Sequence, residues 1–370
     1  MSSKNPSLSF HLSRRQLLKG AGATAGALAA GSILKGSLNT VESLVNPAPV
    51  KAASFYKGAD ISWAQQMAAT GYWWRDASGN QPPSGTNADG NINFLLGVLK
   101  SYGVNAIRLR TWVNPSSDPV NGHCSQSETV HMAYLCVQQG MAVDIDFHFS
   151  DSWADAGHQV IPAAWAGLSY SKCESALGTY VYNFMKALNS AGVTPTWVQL
   201  GNEENSGICH PTGSLSNGAQ MTGLIMAGYN NVKAVFASAQ CIIHLAQPQK
   251  TSGVTNMLNA YQSNGGRWDI TGFSSYASGG NVPGIISAMQ GFQSQYGKPV
   301  MQVEFGGPVS KSSTTASSLT AFVQGVRNFG GHGVFYWEPE VYSPFDSYDS
   351  GAWETNYEPD TTIMNAMKSA

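Results

Sequence analysis

Charge is sparse in this chain. Only 11% of its 370 residues are Asp, Glu, Lys or Arg, where an ordinary soluble domain carries about a quarter. Six of the 20 basic residues and one of the 22 acidic ones fall within residues 1–52, so the remainder holds 14 against 21, a net charge of −7. That balance argues against a nucleic-acid partner. The five cysteines (Cys124, Cys136, Cys173, Cys209 and Cys241) include no Cys-x-x-Cys pair and no Cys/His metal spacing, and their odd number leaves at least one without an intramolecular partner. After residue 53 there is no fixed-period repeat, no low-complexity linker and no apolar run of membrane-spanning length. A Gly-rich phosphate turn after an early strand is also missing, which counts against an open doubly wound sheet.

What is plentiful is apolar and aromatic. Hydrophobic residues make up 42%, with 40 Gly, 10 Trp and 15 Tyr, enough for a large core and many loops. The N-terminus reads as a separate element. "SRRQLLKG" (Ser13–Gly20) precedes the Ala/Gly-rich run "AGATAGALAAGSIL", the pattern of a twin-arginine export signal. Residues 1–52 are expected to be that signal and its spacer, cleaved after Ala52 or Ala53, leaving 53–370 as one secreted or periplasmic catalytic domain with no membrane attachment.

Along that domain, short apolar runs alternate with longer helix-like segments. Strands are expected at Gly58–Ser62, Ala106–Arg110, Ala142–Phe147, Thr196–Gly201, Cys241–Ala246, Asp269–Ser274, Pro299–Val303 and Gly333–Trp337. Helices are expected at Phe94–Tyr102, Glu128–Gln139, Ser175–Ala191, Ala219–Ala239, Thr255–Ser263, Pro283–Tyr296, Thr315–Phe329 and Thr361–Lys368. Eight of each, alternating, predict a single-domain (β/α)8 TIM barrel, in which functional side chains stand at the C-terminal ends of the strands.

Those ends are polar. They carry Asp60; Arg108, Arg110 and Trp112; Asp144, Asp146 and His148; Asn202, Glu203 and Glu204; His244 and Gln247; Tyr276; Glu304; and Trp337 with Glu338. Residues two apart on a strand share a face. Carboxylates, Arg, His and aromatics converging on one barrel mouth suggest a sugar-cleaving cleft. A retaining glycosidase needs one carboxylic acid and one carboxylate, about 5–5.5 Å apart, flanking the scissile bond. Trp and Tyr faces supply platforms for sugar rings.

The stretches "GADIS", "IRLRTWVNP", "DFHFSDSWADAGHQVIPAAW", "VQLGNEENSG", "HLA", "GFSSY", "KPVMQVEFGGP" and "GVFYWEP" resemble, in order, glycoside hydrolase family 53, the endo-β-1,4-galactanases, within the large clan of retaining (β/α)8 glycosidases. The resemblance implies Glu203 as acid/base and Glu304 as nucleophile, held ionised by Arg108. It implies Asn202 at the sugar 2-hydroxyl, Trp337 under the cleavage subsite, and His148, Asp151, Trp153 and Tyr276 along the groove. No metal or organic cofactor is required. The partner is a polysaccharide, β-1,4-galactan or the arabinogalactan side chains of pectin, and the chain is expected to act as a monomer.

The chain departs from the family pattern in three places. Glu204 stands where an apolar residue is usual and is expected to be salt-bridged behind the site. Strand seven ends Glu304-Phe305-Gly306. The aromatic-rich loop after strand six is thinned to "SSYASGG", which leaves open another β-glycan of the same clan, or a catalytically silent carbohydrate-binding barrel. Asp346, Asp349, Glu354 and Asp360, after strand eight, are oxygen ligands of the type calcium takes. Asp144 is expected to make a buried structural contact, and Trp63, Trp165, Trp197 and Trp268 to belong to the core.

Overall fold

The computed structural model describes residues 55–276 and 279–370. The export signal expected over residues 1–52 lies outside the described residues, as do two positions of the loop after strand six. Eight parallel strands close a barrel in sequence order: β1 (Tyr56–Asp60), β2 (Ala106–Thr111), β3 (Ala142–Phe147), β4 (Trp197–Gln199), β5 (Gln240–Ala246), β6 (Ile270–Ser274), β7 (Val300–Phe305) and β8 (Gly333–Trp337), which pairs with β1. Apart from a short helix at Ala64–Ala69, the helices between them are α1 (Ala88–Ser101), α2 (Gln126–Gln138), α3 (Tyr170–Ser190), α4 (Gly218–Val235), α5 (Thr251–Ser263), α6 (Val282–Tyr296) and α7 (Ser312–Asn328), with α8 (Thr361–Ser369) last. Each expected strand and helix is present. The helix starts moved most: α1 begins at Ala88, where the Asn87 side chain accepts the Gly90 N–H at 2.9 Å. A reciprocal Ser125/Glu128 capping box opens α2.

Two apolar layers result from strand alternation. Outward residues such as Ile107, Leu109, Val143, Ile145 and Phe147 meet the helices in one continuous core. Inward residues at the N-terminal end of the barrel form a second cluster of Ala106, Trp197, Ile242, Ile270, Met301, Val303 and Phe335. This cluster plugs the barrel floor. Gly58 is part of its geometry: a Cβ there would lie 2.1 Å from the Phe335 ring, so only glycine lets that ring fill the centre. Above the plug the inward positions turn polar. Burying polar side chains is costly unless they satisfy one another, and several do so in one connected group around Arg108 at the mouth, while the Asp144 oxygens below it make no hydrogen bond.

β7 breaks its own alternation. Met301 and Val303 face the barrel interior, so a regular strand would turn Phe305 inward and Glu304 outward. Pairing with β6 jumps from Phe273↔Gln302 to Ser274↔Glu304, and pairing with β8 from Val334↔Gln302 to Tyr336↔Phe305. This bulge gives β7 an extra residue. Phe305 then packs outward against Phe322 and Tyr336, and Glu304 turns into the mouth.

All five cysteines are buried free thiols. No described helix is long and apolar enough to cross a membrane.

Candidate active site

Arg108, inward on β2, organises the mouth. A guanidinium has five N–H donors in a planar fork, and four hydrogen bonds and an ion pair converge on it here. Nε donates to Gln199 Oε1 at 2.9 Å and Nη1 to Asp60 Oδ2 at 2.6 Å, and Nη1 also forms an ion pair with Glu304 Oε1 at 2.9 Å. Nη2 donates to Asp146 Oδ2 at 3.0 Å and Asn202 Oδ1 at 2.9 Å. Arg108 is 1% exposed. Burial works against its charge, but Asp146, Glu304 and Asp60 more than reverse that and keep it cationic. For Asp146 burial is outweighed in the same way, by Arg108 and then His148, which bring its carboxyl below the usual range.

Glu304 is held differently. Its Oε1 faces Arg108, and its Oε2 accepts the Tyr276 hydroxyl at 2.8 Å. Burial pushes the carboxyl up, to about 8, and Glu203, Asp146 and Asp60 add to the rise against the pull of Arg108. This corrects the expectation that Arg108 by itself keeps Glu304 ionised: one cation is shared among three carboxylates. Glu203, the residue just past Asn202, adopts the left-handed region with φ 49°. Its Oε2 accepts the Ala156 N–H at 3.2 Å and its Oε1 accepts a very short hydrogen bond from Ser274 Oγ. Both carboxylates open on one cleft of about 380 Å³, also lined by Trp63, Asn121, His148, Trp153, Asp155, Asn202, Tyr276, Trp337 and Asp346.

The flanking residues fall into place with three corrections. His148 Nδ1 accepts the Ala154 N–H at 3.1 Å while Nε2 faces Asp146 Oδ2 at 3.0 Å, so the ring is locked edge-on at the cleft. Trp153 anchors its indole N–H on Asn121 Oδ1 at 3.0 Å. Asn202 gives Nδ2 to the Ala154 carbonyl at 2.7 Å. Asp151 does not line the cleft: its two oxygens accept the Asn114 and Ala163 N–H groups at 3.0 and 2.8 Å and tie two loops together. Glu204 forms no salt bridge. Its Oε2 accepts the His244 N–H at 2.6 Å, and burial raises its carboxyl well above the usual range. Trp63 is packed in the core, yet it also lines the cleft and meets Trp153 and Trp337 edge-on.

The remaining strand-end charges lie beneath this surface. Arg110 pairs with Glu338 through a very short contact and lies over the rings of Trp153, Trp63 and Trp112, 4.4, 5.1 and 5.3 Å from their centroids. It therefore braces the aromatic wall, and only Arg108 reaches Glu304. Asp144 is fully buried below Arg108, and burial raises its carboxyl well above the usual range; its oxygens make no hydrogen bond. His244 is kept neutral by burial, then by Arg108.

Among the described residues the four acids after β8 do not gather into a calcium site. Asp360 caps α8, accepting the Thr362 and Ile363 N–H groups at 2.9 Å. Asp346 accepts the Tyr348 N–H at 2.8 Å and opens on the cleft. Among the described residues no three His, Cys, Asp or Glu side chains converge as a metal site would require.

Sequence reasoning passed over Ser274, Gln199 and Asp155. Each is an ordinary polar residue in a strand or loop, and only the neighbouring strands reveal what it touches.

Known proteins resemble this chain along most of its length. The profile of glycosyl hydrolase family 53 matches residues 56–369. A probable arabinogalactan endo-beta-1,4-galactanase A of Aspergillus fumigatus is 28% identical over 316 residues, covering 78% of this chain and 85% of that one. An endo-beta-1,4-galactanase of Bacillus subtilis is 27% identical, covering 77% and 70%. The solved catalytic domain of Ignisphaera aggregans described as GH53 superposes with a TM-score of 0.76 at 24% identity, over 87% of this chain and 98% of that one. At that identity the likeness speaks for the fold.

Proposed function

Because this chain belongs to glycosyl hydrolase family 53, we propose that its cleft cleaves β-1,4-galactosidic bonds within galactan or arabinogalactan, with retention at the anomeric carbon. The observation that carries the reading is the pair Glu203 and Glu304, one just past β4 and the other at the end of β7, opening on one cleft. Curated relatives from both a fungus and a bacterium bear galactanase names, which supports the substrate class.

In this reading Glu203, poised by Ser274 and Ala156, gives its proton to the leaving glycosidic oxygen. Ionised Glu304 attacks the anomeric carbon, and a covalent glycosyl-enzyme forms. Glu203, now a carboxylate, takes a proton from the incoming water, and Glu304 leaves again as carboxylate. Arg108 and Tyr276 hold Glu304 by its two oxygens, which aims it. Asn202 faces the 2-hydroxyl, and Trp337, Trp153 and His148 bind the sugar rings. Every step uses side chains of this chain alone.

The natural substrates proposed are the galactan side chains of pectin, met after export through the twin-arginine signal around Arg14 and Arg15, by a protein acting as a monomer. Reducing-end release on purified galactan, mannan, xylan and glucan tests the substrate reading: galactan should be the best substrate by a wide margin, and preference for another glycan overturns it. Glu304→Gln should abolish turnover of galactan while leaving the fold intact. Surviving turnover would falsify the assignment of the nucleophile.

A further inference from the structure

Glu204 is buried, follows the proposed acid/base directly, and has no part in the steps above. Its surroundings give it another role. β4 is the shortest barrel strand, and its last backbone rung to β5 is Leu200 N–H to the Ile242 carbonyl at 3.1 Å. Beyond Gly201 the chain leaves the sheet: Gly201 has φ 146°, Glu203 has φ 49°, and a short 3-10 turn covers Glu204–Ser206. β5 continues for four more residues and still presents N–H groups to the gap.

Side chains fill the missing rungs. The His244 N–H donates to Glu204 Oε2 at 2.6 Å. The next N–H on that side, from Ala246, donates to Asn205 Oδ1 at 2.7 Å, and Asn205 Nδ2 returns a bond to the Ala246 carbonyl at 3.0 Å. Gly201 makes room for this: a Cβ there would lie 2.5 Å from Glu204 Oε1 and 2.6 Å from its Cγ. The segment bearing Asn202 and Glu203 is thus pinned on its far side to the edge of β5.

We propose that Glu204 and Asn205 are positioning residues, a side-chain continuation of the β4–β5 ladder that holds the left-handed turn at Glu203 and so aims its carboxyl at the leaving oxygen. This rests on the reading of Glu203 as acid/base. Glu204 acts as a neutral hydrogen-bond acceptor, in keeping with the upward push that burial exerts on its carboxyl, so it adds no negative charge beside Glu203.

The test is the leaving-group dependence of kcat/KM, which reports the first chemical step. Galactan needs a proton on its leaving oxygen, whereas a nitrophenyl β-galacto-oligosaccharide releases a phenolate that needs almost none. The control, Glu203→Ala, should lose about 10²–10⁴ on galactan and far less on the nitrophenyl substrate. If it does not, the acid/base reading itself fails. With the control behaving, Glu204→Leu, which keeps the bulk but removes the acceptor, should lose at least about tenfold on galactan and less than about threefold on the nitrophenyl substrate, since small misplacements of a reacting group are costly. Glu204→Gln keeps an acceptor and should stay within about twofold of the parent on both. Equal losses on the two substrates, no loss at all, or a Gln variant as impaired as the Leu variant overturns the proposal. Should Glu204→Leu fail to fold, Asn205→Ala removes the second rung and is held to the same pattern and the same refutation.

Discussion

Arg108 Nη1 stands 2.9 Å from Glu304 Oε1 in an ion pair, and the same guanidinium donates hydrogen bonds to Asp60, Gln199, Asp146 and Asn202. Removing one member of a buried ion pair strands the charges left behind, at about 3–5 kcal/mol. Arg108→Met should therefore destabilise the protein by about that much in a urea titration and eliminate turnover. Arg108→Lys, with three donors on a point charge, should recover part of the stability and little of the activity.

Burial raises Glu304 from an ordinary 4.5 to about 8, which makes its effect on stability depend on pH. The folded protein binds this proton more tightly than the unfolded chain does, so stability falls as pH rises from about 4.5 through 8. Glu304→Gln removes the titration. The variant should melt at a higher temperature than the parent, by a margin that is small near pH 4.5 and grows to the equivalent of about 2–4 kcal/mol at pH 8 and above. A margin independent of pH contradicts the raised carboxyl. Because the nucleophile must be ionised, the same rise places the acid limb of kcat/KM well above pH 4.5, and Asp146→Asn, which removes a neighbouring negative charge, should move that limb to lower pH.

Tyr276 has a half-exposed ring and a hydroxyl bound to Glu304 Oε2. Hydrogen bonds to a charged group contribute about 1.5–3 kcal/mol. Tyr276→Phe should thus lower kcat/KM on galactan by about ten- to a hundredfold while changing the melting temperature little. A large loss of stability with unchanged kinetics would be the opposite result.

Asp360 holds the start of α8 through two backbone N–H groups and also accepts the Ser312 hydroxyl at 2.8 Å. Asp360→Ala should cost about 1–2 kcal/mol of stability and leave kcat/KM unchanged, since Asp360 is not among the residues lining the cleft. Melting curves with added calcium and with a chelator should superimpose, since Asp360 is occupied as a cap and Asp346 as a turn acceptor, and among the described residues the acids do not converge. A calcium-dependent rise would show that they rearrange into a site.

Much of this was legible along the chain because a barrel is built from local periodicities. β3 and β8 fall where their apolar runs stand, at Ala142–Phe147 and Gly333–Trp337, and strand ends are known to carry function in this fold. Helix starts were less legible: α1 and α2 begin where a single side chain, Asn87 or Ser125, caps the backbone, and α3, α5 and α7 begin before their apolar periodicity with no side-chain cap. Asp151 was misread for a related reason: a carboxylate in a motif looks the same whether it meets a sugar or, as here, two backbone N–H groups. Glu204 read as an acid salt-bridged behind the site, but its partner there is a backbone N–H of β5.

The sequence by itself determined the alternation of eight strands and eight helices, the polar character of their ends, and the presence of Asn202-Glu203 and Glu304 at two of them, since these follow from residue order and spacing. Only the tertiary structure decided which charges meet. The bulge in β7 turns Glu304 inward where alternation would face it out. Closure of the barrel brings Asp60, Asp146, Gln199 and Glu304 from four strands, with Asn202 just past β4, onto one guanidinium. Burial then sets the protonation of those groups, because the cost of removing a charge from water depends on neighbours that the chain supplies from hundreds of residues away.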